Sequence, residues 1–282
     1  GLRYPMGLPH LKGLDLLHKY LMATLVAACM AGTASAQIRI GQTAGITGAV
    51  AASVKEATEG ARLYFDAVNA RGGVNGQKIE LISLDDKFDP KLTLENAKKL
   101  IAQGVVSLFL NRGTPHTQGI MPLLTEAGVP LVGPSTGAMV LHEPVHPWIF
   151  NVRATYQREA ERTVSHLSLV SVTRIAIVQV DDTFGADAVA GVFKGMQNTR
   201  LKPVAYEKYD RAKPDFAQIV PKVVAADPQA VIFIGSGTAI VDAMKALRAA
   251  GSRAQMVTLS NNASDGFVKS LGEYAHGTVV SQ

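Results

Sequence analysis

The chain has 282 residues, 47% of them hydrophobic, with 28 basic against 23 acidic side chains and a formal net charge of +5. The basic residues are scattered, with no arginine-rich stripe or interleaved aromatics, which argues against a nucleic-acid partner. The single cysteine, Cys29, excludes an internal disulfide framework, so stability must come from a hydrophobic core.

At the N-terminus, Lys12, His18 and Lys19 precede an apolar run from Tyr20 to Met30, and Ala34-Ser35-Ala36 supplies the small residues of a signal-peptidase site. The run is too short for a spanning helix, which needs about 20 residues. Residues 1–36 are therefore expected to be a cleavable export signal with its upstream residues, and the remainder to be periplasmic. Val26-Ala27-Ala28-Cys29 also matches a lipoprotein box. The alanine site is preferred over lipid anchoring through Cys29 because it lies at a natural distance from the first strand.

From Gln37 onward, short β-branched runs alternate with longer amphipathic ones, the pattern of an α/β fold with parallel sheets covered by helices. Strands are expected at 38–42, 79–84, 105–110 and 130–132. The first helix should bury Ala57, Ala61, Tyr64, Phe65 and Val68, and the second, started by Asp89-Pro90, should bury Ala97, Leu100 and Ile101. A strand at 148–152 closes this series.

A second series follows, with helices expected at 156–169, 184–196, 215–226 and 238–250 and strands at 174–180, 203–207, 230–234 and 256–259. Pro221 should kink its helix or move its start. The division is thus 37–152 for an N-terminal lobe and 153–276 for a second lobe. Residues 277–282 read as a return strand toward the first lobe.

Ligands of open parallel sheets bind beyond the carboxyl ends of the strands, where loops and helix N-termini present free N–H groups. The loops in question are Gly45-Ile46-Thr47-Gly48-Ala49, Asn111-Arg112-Gly113-Thr114 and Gly133-Pro134-Ser135-Thr136-Gly137. Their hydroxyls and amides suit a carboxylate, although Thr114 and Ser135 could equally be helix N-caps.

The segments Ala70-Arg71-Gly72-Gly73-Val74-Asn75-Gly76, Asp85-Asp86 with Asp89-Pro90, Gly133-Pro134-Ser135-Thr136, Asp181-Asp182-Thr183-Phe184-Gly185 and Arg248-Ala249-Ala250-Gly251, in this order, resemble the Leu/Ile/Val-binding protein family. The resemblance implies two Rossmann-like lobes of the type I periplasmic-binding (Venus-flytrap) kind. They would close on a small carboxylate-bearing solute, a branched-chain or other hydrophobic amino acid or an aromatic or aliphatic acid, and deliver it to an ABC permease in the inner membrane, with no catalysis, cofactor or metal.

By position, the resemblance places Gly48, Ala49, Thr114, Ser135 and Thr136 in the first-lobe site and Tyr156, Phe184, Ser236 and Ser260 in the second. Where relatives hold an ammonium group with acidic side chains, this chain has Tyr156 and Ser260. That pattern suits a carboxylate without an amine, such as an aromatic or aliphatic acid, unless Glu159 or Asp182 substitutes, and Tyr156 reads equally as a hinge-side packing aromatic. Family members continue past the return strand, so the chain is expected to be truncated at its C-terminus.

Two motifs spell catalytic signatures. His142-Glu143-Pro144-Val145-His146 matches H-E-x-x-H, yet Pro144 opposes the helix that zinc ligation needs, so it reads as a loop with no metal. Gly133-Pro134-Ser135-Thr136-Gly137 matches the nucleophile elbow of an exported α/β hydrolase, with Asp182 and His276 in the right chain order, and is the alternative reading. Gly235-Ser236-Gly237 lacks the third glycine of a dinucleotide turn, because Ile240 stands there.

Overall fold

The computed structural model describes residues 37–281. The export signal and the alternative lipidation site at Cys29, both expected within residues 1–36, lie outside the described residues, as does Gln282.

The first lobe contains β1 (Ile38–Ala44), α1 (Ala51–Ala70), β2 (Ile79–Asp85), α2 (Pro90–Ala102), β3 (Ser107–Phe109), α3 (Thr114–Ala127), β4 (Leu131–Val132) and β5 (Ile149–Phe150). Its strands form one parallel sheet in the order β2-β1-β3-β4-β5. The chain then runs into α4 (Tyr156–Leu169), β6 (Ile175–Val180), α5 (Thr183–Thr199), β7 (Ala205–Tyr209), α6 (Phe216–Ala225), β8 (Ala230–Ile234), α7 (Thr238–Ala249), β9 (Gln255–Thr258), α8 (Asp265–Leu271) and β10 (Val279–Val280). These strands make a second parallel sheet, ordered β10-β9-β8-β6-β7.

Both sheets reverse their winding beside their first strand, at β1/β3 and at β6/β8. Such a reversal leaves a crevice at the strand carboxyl ends, because the flanking loops leave in opposite directions. The loops there are 45–50 and 110–113 in the first lobe, and 181–182 and 235–237 in the second. Sequence order alone therefore delivers two loop pairs to the functional edge.

The second lobe has the larger core. Every residue of β6 and β8 is buried, so both faces of the sheet are covered and the strands read as continuous apolar runs. Ile177, Ile232, Phe233, Met196 and Met244 lie at its centre. The first-lobe core centres on Leu100, Leu108, Ile120, Leu124 and Leu131. Burying each such side chain is worth about 1.5–3 kcal/mol, and truncating Leu100 to Ala would cost about 2–5 kcal/mol.

Local signals fix the helix starts. Asp89 caps α2 by accepting from Lys91 N at 2.7 Å, with Pro90 in the first turn. Thr155, Asp182, Asp215 and Ser264 cap α4, α5, α6 and α8 in the same way. Gly128 ends α3 in the left-handed region, φ 62°. Pro221 stays inside α6, and Pro122, for which no break was expected, stays inside α3.

Several expectations need correction. The buried stripe of α1 runs through Val54 with Thr58, Ala61, Phe65 and Val68 partly buried, whereas Ala57 is exposed and Tyr64 is 66% exposed. Gln42 Nε2 donates to Thr58 Oγ1 at 3.0 Å, which turns that face inward. Helix α8, absent from the expected elements, follows a Ser264 cap. The strand expected to lead back toward the first lobe instead extends the second sheet, with Val279 and Val280 in register with Val257 and Thr258. Among the described residues, the chain passes from one sheet to the other once, between β5 and α4.

Candidate functional site

The first-lobe loops are set by backbone geometry. Thr47 donates to Asp85 from its N–H at 3.1 Å and its hydroxyl at 2.6 Å, which fixes the turn holding Gly48 (φ 86°) and Ala49. Gly113, at φ 101°, is the N-cap of α3. Thr114 is thus the first helical residue and not the cap. Its hydroxyl lies 2.7 Å from that of Thr136, and both side chains are buried. A short parallel bridge pairs Arg112 with Ser135, whose N–H donates to Asn111 O at 2.7 Å.

From this bridge Arg112 reaches across to the other lobe. Its Nη2 donates to Asn261 O at 3.0 Å and its Nη1 to Ser135 Oγ at 3.4 Å, while Nε meets no acceptor among the described residues. The residue is only 7% exposed. Burial pulls its pKa down; Tyr156 opposes this, and the neighbouring Arg153 and Arg211 push down again. A guanidinium stays charged nonetheless, so a buried cation sits between the lobes with no carboxylate paired to it among the described residues.

In the second lobe, Arg153 lies over the Tyr156 ring, 4.6 Å from its centroid, and Tyr156 packs on Phe184 at 4.8 Å. Arg153 donates to Ser260 Oγ and lies 3.5 Å from Glu159. Glu159 also receives the Ser260 N–H, the Ser260 hydroxyl at 3.0 Å and the Ser281 hydroxyl at 2.7 Å. Asp182 accepts from Phe184 N at 2.9 Å, Gly185 N at 3.1 Å and Arg211 Nε at 2.6 Å.

A stack of unlike groups spans the junction. Arg211 of the second lobe lies 4.9 Å from the Phe88 ring of the first, and Phe88 stacks on His116 at 4.4 Å with the planes 16° apart. Burial drives the His116 pKa down to about 4, so the imidazole at the base of the stack is neutral at ordinary pH.

On the opposite side of the cleft, Asn261 donates to Ser236 Oγ at 3.1 Å and to Gly235 O at 2.9 Å. Asn262 accepts from Gly237 N at 3.0 Å. Thr238 N then donates to Ala49 O of the first lobe at 3.1 Å. No side chain fits at Gly237, because a Cβ there would lie 1.8 Å from Ala49 O.

Of the nine residues expected to bind, Ser135 and Ser260 share the wall of a cavity of about 530 Å³, together with Arg153 and Glu159. That volume falls within the range of ordinary ligand sites. Ala49 lines a separate space of about 40 Å³ with Gly237 and Asn262. Gly48 adjoins Ala49 in its loop, and Ser236 is held by Asn261. Thr114, Thr136, Tyr156 and Phe184 are buried and line neither space.

Arg112, Arg153, Arg211, Phe88 and Asn261 are the residues that sequence reasoning passed over. Arg112 stands in a loop that was singled out, but a lone arginine in a loop looks like any solvated one until its burial is known.

The catalytic signatures take ordinary places. Ser135 Oγ is bonded to Arg112, which cannot serve as a base, and Asp182 is bonded to Arg211 and the α5 amides. His142-Glu143-Pro144-Val145-His146 is turn and loop rather than helix, with His146 bonded to Trp148 N at 3.2 Å. Among the described residues, no cluster of three metal-ligating side chains occurs.

The family model described as "Periplasmic binding protein" matches residues 37–282. The Leu/Ile/Val-binding protein of Escherichia coli is 23% identical over 266 residues, covering 94% of this chain and 72% of that protein. A solved substrate-binding periplasmic protein from Ralstonia solanacearum is 31% identical with a TM-score of 0.77, covering 85% of this chain and 67% of the other. A possible leucine/isoleucine/valine-binding protein from Rhodopirellula baltica superposes with a TM-score of 0.82 at 24% identity, covering 89% and 70%. With two parallel-sheet α/β lobes and a family match along all described residues, the chain belongs to the periplasmic binding protein family.

Proposed function

We propose that this protein is the extracytoplasmic solute-binding component of an ABC importer, taking a small carboxylate-bearing solute between its lobes and passing it unchanged to an inner-membrane permease. The observation that carries this reading is Arg112, a buried cation rooted in the first lobe and bonded to Asn261 of the second. An anion at that point would contact both lobes at once. Ser135, to which Arg112 donates, and Ser260 lie on the wall of the adjoining cavity, which Arg112 itself does not line, and supply hydroxyls for direct contact.

Thr114 with Thr136, and the Gly48-Ala49 turn, hold the first-lobe loops in place. Tyr156, Phe184 and Ser236 do the same for the second lobe. The export signal read in residues 1–36 and the family together support a periplasmic location.

Bridging is sufficient to drive closure. A micromolar solute supplies about 8 kcal/mol, whereas swinging a two-state clamp from mostly open to mostly closed takes about 5.5 kcal/mol. Release needs only that the permease favour the open form.

Thermal-shift screening of the protein against amino acids, aromatic acids and aliphatic acids tests the proposal, followed by small-angle X-ray scattering with any hit. A solute at a hundred times its Kd should add about 2.7 kcal/mol of stability and reduce the radius of gyration. If no solute does either, the proposal fails.

A further inference from the structure

We infer that the solute is a carboxylate bearing no ammonium group, and that the unpaired Arg112 guanidinium is the residue that selects it. This rests on the binding function proposed above and narrows its substrate class.

The argument is an inventory of charge at the junction. Three buried or half-buried arginines and two such carboxylates meet there, while Arg158 and Arg162, which also line the cavity, are exposed to solvent. Arg153 pairs with Glu159, and Arg211 pairs with Asp182. Arg112 is left over: the groups that act on it are the Tyr156 phenol, which favours its charge, and the like-signed Arg153 and Arg211, which oppose it, with no carboxylate among them.

An uncompensated buried cation is costly unless something neutralises it. A ligand carboxylate would do so, and the donor Nε, which has no acceptor among the described residues, is the free prong for it. An ammonium would meet the opposite situation. Glu159 already receives Ser260 N, Ser260 Oγ, Ser281 Oγ and Arg153, which fills the roughly four acceptor sites of a carboxylate.

The other acids near the cleft are also occupied. Asp182 holds two α5 amides and Arg211. Asp85 holds Thr47 N, Thr47 Oγ1 and Lys87 N. Asp86 holds Phe88 N and the Thr43 and Thr93 hydroxyls, and its burial raises its pKa. Asp89 caps α2. Asp187 accepts from Met139 N and Gln157 Nε2 at 3.0 Å through one oxygen, while its buried Oδ2 has no partner among the described residues; it is not among the groups that act on Arg112. An α-amino acid would thus bring its cation beside Arg112 with no free carboxylate at that point to receive it.

Matched ligand pairs test this directly: isocaproate against leucine, and hydrocinnamate against phenylalanine, by isothermal titration near neutral pH. The deaminated member of at least one pair should bind at least about tenfold more tightly, since an unpaired buried charge costs more than one decade of affinity. Amino acids binding as tightly as, or more tightly than, their deaminated partners would overturn the inference while leaving the proposed function standing. If no member of either pair binds, the inference falls. If the wider screen is also empty, the function falls with it.

Arg112→Met keeps the bulk and removes the charge. It should weaken carboxylate binding at least about thirtyfold without lowering the melting temperature of the ligand-free protein, because replacing a buried unpaired charge with an apolar side chain is neutral or stabilising. Unchanged affinity overturns the assignment. So does lost binding together with a lowered ligand-free melting temperature, which would make Arg112 a structural residue.

Discussion

The Glu56 carboxylate in the first lobe accepts the backbone N–H groups of Asp265 at 3.1 Å and Gly266 at 2.8 Å in the second. Both donors lie in the first turn of α8, whose free amides favour an anion. The contact joins the two lobes, so in the proposed clamp it favours the closed state.

Glu56→Gln should therefore loosen closure without unfolding either lobe. The bonds are exposed, so about 1 kcal/mol is a fair measure of their worth. Solute affinity should drop about fivefold by titration calorimetry, with the melting temperature nearly unchanged. An unaltered affinity would mean that the contact plays no part in closing the clamp.

Gly237 gives a sharper version of the same test. Its φ is 60°, and a Cβ would lie 1.8 Å from Ala49 O across the junction. Gly237→Ala should hold the lobes apart, enlarging the radius of gyration in the presence of solute and weakening binding by more than about tenfold, beyond the local cost of about 1–3 kcal/mol for an alanine at φ 60°, ψ −135°, a conformation glycine alone adopts readily. Scattering curves identical to those of the parent protein would show that the 237–238 loop yields.

His116 makes stability depend on pH. Its folded pKa is pushed down to about 4 by burial, against an ordinary 6.5, so between these values the unfolded chain binds more protons than the folded one. Stability is full above about pH 6.5 and declines as pH falls toward 4, by up to about 3 kcal/mol. Arg211, Asp182 and Asp89 are the charges that act on the ring. His116→Phe keeps the stack on Phe88 and should flatten this limb in urea titrations at a series of pH values. A slope equal to that of the parent would assign the acid sensitivity to other groups.

The Thr114 and Thr136 hydroxyls satisfy each other 2.7 Å apart in a buried setting. Thr114→Val strands the Thr136 hydroxyl and should cost about 1–3 kcal/mol. The double change to Val removes both polar groups and should recover much of that loss. A double-mutant cycle in denaturant measures the coupling. Additive losses would show that the two hydroxyls are independent.

Much of the fold was legible locally. Helix α4 and strand β8 have the expected ends because Thr155 caps one and the apolar run of Ala230–Ile234 defines the other. Short strands such as β4 and β5, two residues each, follow from pairing with neighbours rather than from propensity. Tyr64 was misplaced because periodicity alone cannot choose between adjacent helix faces, and the Gln42–Thr58 bond made that choice. The site was legible only as loops: Ser135 and Ser260 reach the cavity wall, while Thr114 and Phe184 are buried and do not line it.

Apolar periodicity, capping residues and turn glycines are properties of neighbouring residues. They were enough to determine two series of strands and helices and the loops at their carboxyl edges, while the family was read from the resemblance of ordered segments to known members. Charge pairing between residues far apart in the chain is not such a property. That Glu159 is consumed by Ser260, that Asp182 is consumed by Arg211 and that Arg112 is left buried without a carboxylate was decided only when the tertiary fold brought these groups into one low-dielectric junction, where each unpaired charge carries a large free-energy cost.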